Sequence, residues 1–160
     1  MDNTWVELRI RGVRVEGSHG APVVLLEDSG GRYRLHIPVG PFEASAVIME
    51  LEGICPPRPM THDLLAELFR EAGFVLDRVE LFGLPGDPPR ARLAYRKEHG
   101  QNLKEIRPSD ALALALRLRA SIVADATLIK ESRRFSSPVF GGPGARVLVL
   151  EDWKQRSLGS

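Results

Sequence analysis

The chain is poor in the residues and signals that mark the commonest protein classes. It has one cysteine, Cys55, in 160 residues. A single thiol closes no intrachain disulfide and supplies no multi-cysteine zinc site, which suits a reducing compartment. No apolar run approaches the roughly 20 residues that cross a bilayer. The opening, MDNTWVELRI, lacks the basic start and long apolar core of a secretion signal. Charge of one sign is lacking too: 22 Lys and Arg stand against 21 Asp and Glu, a net +1. Any hold on a polyanion must therefore come from local clusters of basic residues or from helix N-termini. The strong catalytic signatures are missing as well. There is no phosphate-binding G-x-x-x-x-G-K-[ST] loop, no G-x-G-x-x-G after a strand, no H-E-x-x-H and no G-x-S-x-G. The expectation is a cytoplasmic protein without membrane contact. At 43% hydrophobic and 27% charged, its length gives one domain with a sizeable core.

What is present is a regular alternation of strands and capped helices. Val6, Leu8 and Ile10 alternate with polar residues as in a half-buried strand. The phase flips to Val13 and Val15 across Gly12, which predicts a β-bulge there. Val23 to Leu26 reads as a second strand. The turn Asp28-Ser29-Gly30-Gly31 leads to a third, bearing Tyr33, Leu35 and Ile37. Pro41 suits the first position of a helix, with Glu43 at N3 and a buried stripe of Ala44, Val47, Ile48 and Leu51 before Gly53. After Pro56-Pro57-Arg58-Pro59, Thr61 reads as the N-cap of a second helix. Leu64, Leu65, Leu68, Phe69 and Ala72 read as its buried face. Strands follow at 74–82, 91–96 and 102–106. Pro108-Ser109-Asp110 then opens a helix over 111–118, and Ile122-Val123-Ala124 reads as a buried strand. Asp125 is placed to cap a short final helix. Residues 146–150 read as either strand or helix, and Trp153 and Leu158 as docking residues of an accessory tail over 132–160.

The openings of the first and third helices echo one another. Val39-Gly40-Pro41-Phe42-Glu43-Ala44 parallels Ile106-Arg107-Pro108-Ser109-Asp110-Ala111, each after three strands. The fold class expected is α+β: a mixed, largely antiparallel sheet packed with helices. Duplication of a β-β-β-α unit and chance likeness of two helix starts both account for the echo.

Polar residues at these helix starts are the candidates for chemistry. Thr61-His62-Asp63 combines a proton carrier with a carboxylate that orients it or binds a cation. Dipole complementation accounts equally for the carboxylate, but not for His62. Arg107 beside free N–H groups, with Ser109 and Asp110, is a phosphate-holding arrangement or only a helix cap. Glu43 joins Asp63 or Asp110 around a hard cation if they converge in space, and otherwise complements a dipole. The arginines at 9, 11, 14, 32, 34, 90, 92 and 96 form either a basic groove or an ordinary solvated sheet face.

Three motifs, G-P-F-E-A, P-P-R-P-M-T-H-D-L and R-P-S-D-A-L-A-L-A, resemble in order and spacing the bifunctional nuclease domain family, over roughly residues 6–129. The resemblance implies an α+β domain over residues 1–131, often a homodimer. It also implies a nuclease of low sequence specificity hydrolysing phosphodiester bonds in DNA or RNA. Carried over residue by residue, it implies catalytic roles for His62, Asp63, Glu43 and Asp110 and phosphate binding by Arg58, Arg107 and Ser109. A divalent metal, Mg or Mn, would be held by Glu43, Asp63 and Asp110. The alternative is a non-catalytic module that binds nucleotide or anion, or that serves dimerisation. Glu105-Ile106 departs from the family's Asp-Ala, and Arg119 replaces the glycine that ends the helix, implying a different helix exit.

Overall fold

A computed structural model describes residues 4–16, 20–84, 86–129 and 145–148. Among these described residues eight strands form one sheet: β1 (Trp5–Glu16), β2 (Pro22–Glu27), β3 (Arg34–Pro38), β4 (Val75–Phe82), β5 (Arg90–Lys97), β6 (Gly100–Ile106), β7 (Ser121–Asp125) and β8 (Ala145–Leu148). The helices are α1 (Pro41–Leu51), α2 (Thr61–Glu71) and α3 (Pro108–Leu118), with a helical turn at residues 126–129. The sheet order is β3-β2-β1-β7-β4-β5-β6, and β8 pairs with β1 beyond the end of β7. Every pair is antiparallel except β4–β7. The α+β architecture is thus a mixed, mostly antiparallel sheet with three strands leading into a helix on either side of β7.

Alternation builds the core. Leu8, Val24, Leu26, Leu35, Ile37, Val79, Leu81, Ala91, Leu93, Ile122 and Ala124 bury one sheet face against the helices. The bulge falls where the phase flips, with the β1–β2 register shifting between Ile10 and Gly12. On the other face the strand arginines meet carboxylates: Arg11 and Arg34 reach Glu27, Arg78 and Arg92 flank Glu80, Arg90 grips Glu105 through two bonds of 2.7 Å, and Arg96 holds Asp77. Arg11, Arg34, Arg90, Arg92 and Arg96 are thus neutralised by carboxylates rather than lining a groove of bare charge, and Glu80 is itself buried between its two partners.

α3 is the central helix, touching β3, β4, β5 and β7 with α1 and α2 on either side. Its Ala/Leu run is buried throughout 111–115. α1 buries Ala44, Ala46 and Val47 over β1 and β2. α2 departs from expectation. Leu64, Leu65 and Leu68 are 50%, 43% and 51% exposed, and Ala66 is the helix's one buried residue. The reason is its place at the margin of the helical layer, where it turns Asp63 and Arg70 toward Arg117 of α3 and presents its leucines to solvent. Phe69 packs with Phe74 and Tyr95 at centroid distances of 5.1–5.6 Å. Thr61 is not the cap either. Met60 is the N-cap, and the N3 carboxylate of Asp63 reaches back to accept its N–H at 2.9 Å.

All three helices end alike. Gly53 (φ +66) and Gly73 (φ +76) each turn left-handed, with paired bonds back to the last turn. Arg119 does the same at φ +53, where Ala120 N donates to Ala115 O at 3.0 Å. The arginine therefore does not change the helix exit; it adopts glycine's conformation, because the helix-terminal carbonyls still need those donors. Asp125 caps the final turn by accepting Thr127 N–H at 2.7 Å. Residues 145–148, part of the segment expected to be a tail, form strand β8 on β1. Trp153 and Leu158 lie outside the described residues.

Candidate functional site

The N-termini of α1, α2 and α3 converge. Each starts after an extended N-cap (Gly40, Met60 and Arg107) and each carries an acid at N3: Glu43, Asp63 and Asp110. Proline at the first position of α1 and α3 fixes the entry, since its missing N–H is one that the helix leaves unpaired anyway. The convergence brings together residues 48 apart in sequence: His62 Nε2 lies 3.0 Å from Asp110 Oδ1. The other oxygen of Asp110 accepts Arg107 Nε–H at 2.8 Å, and Arg107 Nη2 reaches Glu43 Oε1 at 3.5 Å. His62, Asp110, Arg107 and Glu43 thus form one chain of contacts across the three helix starts.

The buried end of this chain is polar but paired. Burial alone would raise the Asp110 carboxyl, yet hydrogen bonds from Arg107 and His62 hold it below its ordinary value. Arg107 is pushed up by the same Asp110 contact. Glu43 folds back over Gly40 so closely that a Cβ there would sit 2.4 Å from Oε2. The glycine of the G-P-F-E-A motif thus leaves room for the Glu43 carboxylate in this position, and a side chain there would displace that carboxylate rather than the backbone.

Asp63, adjacent to His62 in sequence, faces elsewhere. One oxygen accepts Met60 N–H; the other takes Arg117 Nε–H at 2.6 Å. Burial raises its carboxyl, and these two partners more than offset that, leaving it below its ordinary value. Arg117 is 5% exposed and also donates to Ala113 O at 3.0 Å and Ala46 O at 3.1 Å, while its own carbonyl accepts from Arg70. It locks all three helices and went unrecognised in the leucine-rich run. A lone cation inside an apolar helix, calling for a buried carboxylate, was the available signal.

Of the remaining candidates, Ser109 is nearly buried at N2 of α3. Arg58 stands exposed in the connector before α2. Glu105 lies on the far sheet face, held by Arg90. Phe42, beside Glu43, is 87% exposed. The expected trio of metal ligands does not converge as a set, since Asp63 belongs to Arg117. Among the described residues no group of three His, Cys, Asp or Glu side chains is placed to hold a metal ion. The residues present do not fit a preformed divalent site. No described helix is long and apolar enough to cross a membrane.

A family profile described as Bifunctional nuclease domain matches residues 23–137. Two relatives, from strains CDC 1551/Oshkosh and ATCC 25618/H37Rv of Mycobacterium tuberculosis, are called Uncharacterized protein MT1877 and Uncharacterized protein Rv1829. Each is 35% identical over 127 residues, covering 79% of this chain and 75% of the relative. The match spans α1, α2 and α3 with every residue of the converging helix starts, and on that breadth the chain belongs to the bifunctional nuclease domain family.

Proposed function

We propose that the chain hydrolyses phosphodiester bonds in DNA or RNA with low sequence specificity, at the meeting point of the three helix starts. The observation that carries this reading is the 3.0 Å contact between His62 Nε2 and Asp110 Oδ1. A carboxylate that accepts a hydrogen bond from Nε2–H fixes the imidazole's tautomer and leaves Nδ1 as the basic nitrogen, so His62 takes a proton from attacking water. Arg107, 70% exposed, keeps N–H groups for a phosphate beyond those engaged by Asp110 and Glu43. Arg58 adds a second cation, and backbone N–H groups at the helix starts favour an anion. No sequence-reading element is required, because these groups address the phosphate rather than the base.

The test is cleavage of single-stranded DNA, duplex DNA and RNA by wild type, His62→Ala and Asp63→Ala protein, with Mg²⁺, Mn²⁺ or EDTA. Loss of cleavage in His62→Ala is expected, at about 10²- to 10⁴-fold. Equal trace cleavage by all three proteins would sink the enzyme reading. Binding of the same oligonucleotides without cleavage would leave a module that holds phosphate. The all-paired site, in which each carboxylate already has a cationic partner, suits that second reading.

A homodimer is part of the proposal. Met60, Leu64, Leu65 and Leu68 leave an apolar stripe on α2 that nothing in the described chain covers. An antiparallel second copy of α2 would cover that apolar surface. Light scattering on wild type and Leu64→Glu/Leu68→Glu protein is expected to show a dimer and a monomer respectively. A wild-type monomer at high concentration refutes it.

A further inference from the structure

The disagreement between the expected metal ligands and their geometry points to something specific about Arg107. We infer that Arg107 is the site's built-in cation, standing between Glu43 and Asp110 where a divalent ion would otherwise sit, and that the site takes a phosphate group with no resident metal. This rests on the reading of the converging helix starts as the phosphate site.

Three observations support the inference. Nε–H of Arg107 is 2.8 Å from Asp110 Oδ2 and its Nη2 is 3.5 Å from Glu43 Oε1, so one guanidinium spans both carboxylates. Both oxygens of Asp110 are engaged, one by Arg107 and one by His62. Asp63, the third expected ligand, is bound by Arg117 and by the Met60 N–H. Charge bookkeeping agrees. Glu43 and Asp110 contribute one negative charge each, Arg107 one positive, and the starts of α1 and α3 about half a positive charge each. The sum is near zero, which leaves no net charge to hold a dication, whereas a hard cation site needs an excess of carboxylates. The outward edge of the guanidinium, at a side chain 70% exposed, is where a phosphate oxygen pair can dock.

Titration calorimetry and Mn²⁺ electron paramagnetic resonance test the assignment on the full chain. Wild-type protein is expected to show no saturable Mn²⁺ binding. Arg107→Gln, which leaves the two carboxylates uncompensated, is expected to gain it, and adding Glu43→Gln to that variant is expected to remove it again. Because Arg107 is a surface side chain, the variant is checked for folding by its thermal transition, and the wild-type result stands without it. Stoichiometric Mn²⁺ binding by wild type, abolished by Asp110→Asn, overturns the inference. Failure of folded Arg107→Gln to gain Mn²⁺ overturns the assignment of Arg107. A separate arm measures a short single-stranded oligonucleotide binding in EDTA. Wild type is expected to bind it and Arg107→Gln to bind it about tenfold more weakly. If Mn²⁺ behaves as expected but no oligonucleotide binds, the phosphate-site reading fails, and with it the phosphate half of the inference, while the role of Arg107 as the internal cation stands.

Discussion

Replacing Arg117 by Met is the sharpest perturbation of the architecture that holds the site. The methionine fills most of the space of the arginine stem, so the loss is electrostatic more than steric. Arg117 is 5% exposed and its Nε–H donates to Asp63 at 2.6 Å. Its two other acceptors, Ala113 O and Ala46 O, are carbonyls inside α3 and α1. Those carbonyls keep their own helical donors, so the cost concentrates on Asp63. Breaking a buried ion pair by removing one partner costs about 3–5 kcal/mol. Asp63 is 21% exposed and keeps the Met60 N–H, which places the expected loss at the lower end, about 3 kcal/mol. For a chain of this size that lowers the melting temperature by roughly 10 °C. Urea unfolding at neutral pH measures it, and the double variant with Asp63→Asn is expected to recover about half, since the uncompensated charge is then gone. A loss under 1 kcal/mol, or identical losses in the single and double variants, would refute the reasoning.

Three further outcomes follow from the same geometry. Arg119→Gly is expected to stabilise the fold by about 1 kcal/mol, because glycine adopts the left-handed φ of +53 without the Cβ penalty; an unchanged urea midpoint would contradict this. Gly40→Ala is expected to drive Glu43 off its place above the α1 start, seen as loss of the Glu43–Arg107 contact in a crystal structure, with little change in melting temperature. On the acid side, Asp63 and Asp110 have folded-state carboxyls below their ordinary value of 3.8. Their contribution is therefore fully present above that value and lost as pH falls through the lower folded-state values. Asp63→Asn is expected to flatten the acid limb of the stability curve.

Much of this was readable from the chain because the signals are local. Proline at N1 and an acid at N3 mark the starts of α1 and α3, and Gly53 and Gly73 the ends of α1 and α2, without reference to anything distant, and the bulge at Gly12 declares itself as a change of parity. The face of α2 was not readable. The stripe of Leu64, Leu65 and Leu68 looks like a buried one, and only the partner decides otherwise. Here the partner is Arg117, 54 residues from Asp63, which draws the polar side of α2 inward. The same non-local pairing separates Asp63 from Glu43 and Asp110. Adjacent in sequence, His62 and Asp63 serve different neighbours: His62 faces Asp110 across the site, and Asp63 anchors the helix that carries it. The echo between the α1 and α3 openings, by contrast, identified two helix starts that the fold brings into contact through Glu43 and Arg107.

The central claim is that the His62–Asp110 pair moves a proton during phosphodiester cleavage. Its most direct test is the cleavage rate of an end-labelled oligonucleotide by wild type and by Asp110→Asn protein, purified in parallel and matched for folding. The amide keeps the shape of the carboxylate but cannot hold the imidazole in the same tautomer. A fall of at least about 10²-fold in rate is expected, with substrate binding retained. Equal rates for the two proteins would contradict it.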